Sequence, residues 1–374
     1  MLIGHFTERP YQDEEHGFFG STTREAYFDL GLSNGDYDPR LGADLYHRYL
    51  DEKLAAEEAG FDAVMLNEHH STPACMGGVM NVEAAILARI TKKPRILLLG
   101  NILPIWEDPL WLAESLAEID MISQGRLVTG WVHGSGRESV SHNAQPPFNR
   151  QRFEEAHDFI VEAWTKDGPF RWEGEHYNYR YVNPFARPYQ KPHPPIAMSV
   201  IKGESMAARM AGQRDFIPLS TNLVPATTVV QHWATYCGGA ADAGKPEPSR
   251  EIWRISRSIY VGESTDEAWD HVLGGTFAGA FEYLIALLTS ANMLDLLKPD
   301  PETPDSEVTP EFVARNLCVI GSVDDCLEQL EGLWDLTGGF GKLLMVAHDW
   351  DDRVKWQNCM KRLAQEVVPK LPSL

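Results

Sequence analysis

Short apolar runs recur along this chain, each followed by a stretch with helical spacing, and that alternation restricts the fold more than any other feature. Leu2–Phe6, Ala63–Leu66, Arg95–Gly100, Arg126–Val132, Pro195–Ser199, Asp215–Leu219, Ile252–Val261 and Lys342–Ala347 read as strands. Most are apolar at consecutive positions, the pattern of a strand covered on both faces. Helices are expected over Ala43–Ala59, Val79–Ile90, Pro109–Ile122, Arg152–Trp164, Ser205–Ala211, Pro225–Ala243, Ser322–Leu336 and Trp350–Val368. A further helix should follow the capping box of Ser264 and Glu267. Eight strands alternating with helices, with no Gly/Ser-rich linker between them, predict an α/β fold: a single (β/α)8 TIM barrel over residues 1–374. Residues 7–41 read as a long loop after the first strand, 169–182 as a β-hairpin excursion, and 288–312 as an insertion rich in Pro, Asp and Glu.

Charge narrows the partners. Thirty-three basic and 54 acidic residues leave a net charge of −21, which argues against nucleic acid or an anionic membrane surface. Five scattered cysteines without a C-x-x-C motif fit reduced thiols and a cytoplasmic protein. No basic head precedes an apolar stretch in residues 1–10, and no apolar run is long enough to span a membrane. Gly130, Gly134 and Gly136 do not form G-x-G-x-x-G, since Ser139 stands at the third position, so a Rossmann nicotinamide site is unsupported. No P-loop, G-x-S-x-G or H-E-x-x-H occurs, and no metal is expected.

The most informative local segment is the strand Ala63–Leu66, which ends in Asn67, Glu68, His69 and His70. In parallel α/β proteins ligands bind at the carboxyl ends of strands, so four polar side chains there suggest a site. Alternatively, the histidines merely cap the strand.

With these residues in view, the chain resembles the bacterial luciferase-like, flavin-dependent monooxygenases. The segments that carry the resemblance are 60–70, 91–104, 120–126, Arg152–Glu155, Glu173–Tyr177, Arg187–Pro195 and Val319–Ser322. Residues 211–218 and 336–349 are similar to one branch, the diketocamphane-type ketone monooxygenases. The resemblance implies FMN, supplied as FMNH2 by a separate NAD(P)H:flavin reductase, with dioxygen and a small apolar organic substrate such as a ketone. A flavin hydroperoxide would be the oxidant. His69 is then the catalytic residue. Cofactor contacts are implied for Leu99, Gly100, Asn101, Trp131, His133, Arg152, Ser199, Gly203, Glu204 and Ser205. Some relatives carry a non-prolyl cis peptide near Gly100. An arginine meets the flavin phosphate in luciferase where this chain has His133. Arg152 and the 199–205 turn would hold the phosphate. Phe6, His70 and His348 would line the substrate pocket. Trp131 could equally be core, and His348 with Asp349 a buried pair. Phe18, Phe19 and Tyr37 could cover a substrate or lie in a subunit interface, and a homodimer or heterodimer is expected. Two other readings stay open: hydride transfer with a deazaflavin coenzyme, and a non-catalytic flavin-binding subunit.

Overall fold

Each of the eight apolar runs becomes a strand, and their pairing closes into a ring. A computed structural model describes residues 1–12, 33–134 and 136–374. The barrel strands are β1 (Leu2–Thr7), β2 (Ala63–Leu66), β3 (Arg95–Leu98), β5 (Leu127–Val132), β8 (Ile196–Val200), β9 (Ile217–Ser220), β10 (Arg254–Val261) and β12 (Lys342–Ala347). All barrel pairs are parallel; β9 pairs with β10 and β12 with β1, so no edge is left open. A two-residue strand, β4 (Asn101–Ile102), continues beyond β3 against β5. The expected hairpin is present as β6 (Phe170–Glu173) and β7 (Asn178–Val182).

Alternation along each strand makes two cores. Phe6, Met65, Leu97, Leu99, Val128, Ala197, Leu219, Leu344 and Val346 fill the barrel interior. The opposite faces, among them Val64, Ile96, Leu98, Ile255 and Met345, pack under the helices in a much larger layer.

Helix boundaries follow local chemistry. Helix α1 (Pro39–Ala59) starts at Asp38, whose carboxylate accepts from Arg40 N, and ends at Gly60 in the left-handed region with φ 107°. It therefore begins four residues before the expected Ala43. The loop expected over 7–41 is shortened at both ends, by Thr7 in β1 and by α1, and carries a 3-10 turn at Asn34–Asp36. Its residues 13–32, including Phe18 and Phe19, lie outside the described residues. Tyr37 packs against Tyr11, with ring centroids 4.7 Å apart.

Helices α2 (Met80–Ile90) and α3 (Pro109–Ile122) follow β2 and β4, and a short α4 (Gly136–Ser141) precedes α5 (Asn149–Thr165). Beyond β8 come α6 (Met206–Arg214) and α7 (Ala226–Asp242). Helix α8 (Thr265–Gly274) is capped by Ser264, whose hydroxyl accepts from Glu267 N. The reciprocal half of the expected capping box is absent, because Glu267 Oε2 accepts from Glu263 N instead, at 3.2 Å.

The region expected as an insertion over 288–312 is largely ordered secondary structure. It runs from the end of α9 (Thr276–Ser290) through two 3-10 turns into α10 (Pro310–Leu317). Leu294, Leu297 and Val308 join the outer core, and Lys298 bridges Asp295 and Asp305 at 2.7 and 2.6 Å. A side strand, β11 (Val319–Gly321), then pairs with the far end of β10. Helix α11 (Val323–Thr337) leads to β12, and α12 (Arg353–Arg362) packs beside α1.

Candidate active site

Strand order decides which side chains meet. β2, β3, β5 and β8 are consecutive neighbours in the sheet, so their carboxyl ends form one continuous stretch of rim. His69 follows β2, Leu99–Asn101 follows β3, His133 follows β5, and Ser199 with the 201–205 turn ends β8. The residues of the proposed site therefore share one end of the barrel.

His69 is half-exposed, 46% by side chain, and its Nδ1 lies 3.1 Å from Oε1 of the buried Glu138. Partial desolvation of the ring works against the imidazolium. The hydrogen bond to Glu138 and the charges of Glu8 and Glu138 outweigh it, and the pKa rises above its usual 6.5. Glu138 sits in α4, and the sequence reading did not single it out. Behind the strand end lies a second group, of which the sequence pointed to Asn67 alone. Buried Arg9 donates to Asn67 Oδ1 at 3.1 Å and pairs with Glu83 at 3.1 Å. Asn67 Nδ2 in turn donates to Glu8 at 2.7 Å. This network fixes the polypeptide that presents His69.

His70 turns the other way, as adjacent strand-end residues do. Its Nε2 is 3.2 Å from Glu68 Oε1, and its ring meets His142 edge-on at 4.0 Å.

The Leu99–Gly100 peptide is cis. A methyl added at Gly100 would stand 2.9 Å from Gly130 O, so only glycine lets the two backbones lie this close. Leu99 points into the barrel, where Phe6 also lies. Asn101 is fully buried; its Oδ1 accepts from Asn81 Nδ2 at 3.1 Å, while its own Nδ2 has no partner among the described residues.

Of the two roles expected for Trp131, flavin contact or core, the structure corrects the first: its indole belongs to the outer core, donating to His157 Nδ1 at 3.1 Å and stacking on Trp164. The reason is the two-residue period of β5: Leu127 and Trp131 share the helix-facing side.

His133 stacks on Phe153 with centroids 4.1 Å apart, and burial lowers its pKa, which favours the neutral ring and a weak anion contact. Arg152 is tied to the turn after β4. Its Nε donates to Pro104 O at 2.8 Å, its Nη2 to Trp106 O at 3.2 Å, and its guanidinium lies over the Tyr177 ring.

On the next strand, Ser205 caps α6 by accepting from Ala208 N at 3.0 Å, which leaves its hydroxyl proton available. Gly203 is buried against Gln231, its carbonyl accepting from Thr235 Oγ1 at 3.0 Å, and Glu204 is exposed. His348 lies across the barrel at the end of β12, among Phe277, Phe281 and Trp350, with its Nε2 3.2 Å from Ser258 Oγ. Burial pushes its pKa down to about 4.

These groups fit a flavin nucleotide. An apolar upper barrel would face the ring, an unpaired amide at Asn101 can meet a polar edge, and a capped helix N-terminus suits a phosphate. A separate open cleft beside α8 and α9 is lined by Glu267, Asp270, Asp351 and Asp352, and its charge is wrong for a phosphate.

Comparison with known proteins agrees on the family. Residues 32–339 match the Luciferase-like monooxygenase family. The chain is 26% identical over 348 residues to 3,6-diketocamphane 1,6-monooxygenase of Pseudomonas putida, covering 85% of this chain and 91% of the relative. It is also 26% identical over 331 residues to limonene 1,2-monooxygenase of Rhodococcus erythropolis, covering 86% and 81%. Among solved structures, the oxygenating constituent of the Pseudomonas putida 3,6-diketocamphane monooxygenase, in complex with FMN, superposes with a TM-score of 0.82 at 24% identity. That match covers 93% of this chain and 96% of the other. A monooxygenase from Streptomyces bottropensis follows at 0.73 and 22%, covering 99% of each chain. The structural likenesses establish the closed eight-stranded parallel barrel, and the family match establishes the rest: the chain belongs to the luciferase-like family of flavin-dependent monooxygenases.

Proposed function

We propose that the chain is the oxygenating component of a two-component system. It takes FMNH2 from a separate NAD(P)H:flavin reductase and, with dioxygen, oxidises a small apolar organic substrate such as a ketone. The observation that carries this reading is the meeting of His69, the Leu99–Asn101 backbone and the Ser199–Ser205 turn on neighbouring strand ends above an apolar barrel interior. Relatives named for diketocamphane and limonene support a small apolar substrate, and one named as an oxygenase component supports the separate reductase.

When bound, reduced FMN supplies the activation of oxygen. The protein's residues do the rest. Ser205 and the first amides of α6 would hold the phosphate, while the exposed Glu204 stays in water. Leu99, Gly100 and Asn101 would flank the ring. Arg152 holds the Leu103–Glu107 turn in shape beside them. His69 is anchored at Nδ1, and its Nε2 has no partner among the described residues. That nitrogen can give or take a proton at the reacting face, and the raised pKa keeps it protonated to higher pH. Phe6, with neutral His348 across the rim, would line an apolar pocket that excludes water.

The same reading includes a homodimer. Val79, Val82, Ile86 and Ile90 form an exposed apolar stripe along α2, and Trp111, 69% exposed, extends it onto the adjoining α3. Ile86→Glu should convert a dimer to a monomer by light scattering.

The direct test supplies the purified chain with a generic flavin reductase, FMN, isotopically labelled dioxygen and a panel of apolar ketones and terpenes. Label in an organic product supports the reading. Peroxide as the sole product with every substrate, together with tight binding of a deazaflavin coenzyme, would favour hydride transfer on the same barrel.

A further inference from the structure

The end of the barrel opposite the candidate site carries charges that the proposed reaction does not use. Three strands begin with a cation: Arg95 on β3, Arg254 on β10 and Lys342 on β12. Register gives their direction. Arg254 pairs with Lys342 and with Leu219, an interior residue. Lys342 lies two residues before interior Leu344, and Arg95 two before interior Leu97. All three therefore face inward at the floor of the barrel.

The slope of the strands puts Arg254 at about the level of Leu97 and Ala197, with Lys342 one step lower beside Ala63, Val128 and Ile217. Arg254 is 8% exposed, and its Nη1 is buried without a hydrogen-bond partner. Among the described residues, neither Arg254 nor Lys342 makes an ion pair or a side-chain hydrogen bond. Among those residues, Arg95 meets only neutral oxygens, Gly125 O at 3.1 Å and Gln190 Oε1 at 3.3 Å.

Unpaired cations gathered in a barrel floor are costly unless something answers their charge. The strain is visible in their acidity. Burial, then repulsion from Arg254 and Arg95, brings Lys342 down to about 8, although Asp62 and Glu251 pull the other way. Burial and Arg95 bring Arg254 down to about 10. Guanidinium forks match tetrahedral or planar oxyanions in shape.

We propose that Arg254, Lys342 and Arg95 form a binding site for a small oxyanion of the inorganic phosphate class at the barrel floor. The site is separate from the flavin rim, because the apolar layer of Phe6, Met65 and Leu344 lies between the two. It opens to solvent where Arg95 is exposed. The overall charge of −21 disfavours anions at long range, so any affinity must come from these local groups.

The test is calorimetric titration of the full chain with inorganic phosphate, against sodium chloride and acetate at equal ionic strength. Four proteins are compared: the natural chain, Arg254→Met, Lys342→Met, and Ser205→Ala as a control for phosphate at the flavin turn. The proposal expects binding that weakens about tenfold or more in Arg254→Met and in Lys342→Met and survives in Ser205→Ala. It also expects phosphate to raise the thermal midpoint of the natural chain and not that of the floor variants. If Arg254→Met fails to fold, Lys342→Met carries the same comparison. No phosphate response above chloride, a response to acetate alone, or binding lost in Ser205→Ala and kept in the floor variants would each overturn it.

Discussion

His69 and Glu138 are the residue pair on which the proposed proton chemistry turns. Their hydrogen bond favours the imidazolium, so the folded pKa lies above the unfolded one. The sign follows. The pair's contribution is fully present below the unfolded value and fades as pH rises through the folded value. Glu138→Gln should therefore move the His69 titration, followed by NMR, to lower pH, and should move the alkaline limb of activity with it. An unmoved titration would remove Glu138 from the site. His69→Ala should lower the yield of oxidised product per FMNH2 and raise peroxide, with little change in FMN affinity. His69 was legible because an apolar strand ran straight into it. Glu138 was not, since 69 residues separate the two and only the fold joins them. Trp131, expected either at the flavin or in the core, falls in the core because the period of two along β5 puts it on the helix side with Leu127.

At the scale of elements, the proposed phosphate site at helix α6 links stability to cofactor binding. Ser205→Ala removes the bond to Ala208 N and should cost about 1 kcal/mol by urea denaturation. It should also weaken FMN more than riboflavin, because only FMN carries the phosphate. Equal losses would move the phosphate elsewhere. Arg152→Ala, by contrast, should weaken both flavins alike, since its hydrogen bonds go to the Pro104 and Trp106 carbonyls and to Glu107. Helix α6 is itself seated by Gly212, where an added methyl would stand 2.0 Å from Tyr236 O in α7. The sequence signalled the start of α3 through Asp108 and Pro109. The same pair, Asp38 and Pro39, opens α1, but there the preceding polar stretch disguised it. The ordered turns within 294–307 were hidden likewise by a Pro- and Asp-rich composition, although buried Leu294 and Leu297 anchor them.

For the whole molecule, the strand count and the alternation made the (β/α)8 barrel readable in the chain, and the pairing that closes the ring joins β12 to β1 from opposite ends of the sequence. Three histidines packed neutral into this barrel give it a predictable response to acid. Burial holds His157 down to about 3, and His232 and His348 to about 4. The unfolded chain takes up these protons near pH 6.5 and the folded one does not. Stability is therefore full above about pH 6.5 and is lost as pH falls through the folded values, at about 1.4 kcal/mol per unit of depression. Urea midpoints should fall steeply between pH 6.5 and pH 4, and His348→Gln should flatten that fall. The central claim remains that the rim of β2, β3, β5 and β8 grips one reduced flavin mononucleotide and governs its encounter with oxygen. Anaerobic titration of the chain with FMNH2, followed by rapid mixing with oxygenated buffer, tests it most directly. Saturation at one flavin per chain and reoxidation clearly slower than that of free FMNH2 are the predicted results. Reoxidation at the rate of the free flavin, unchanged by the protein at any concentration, would contradict the account.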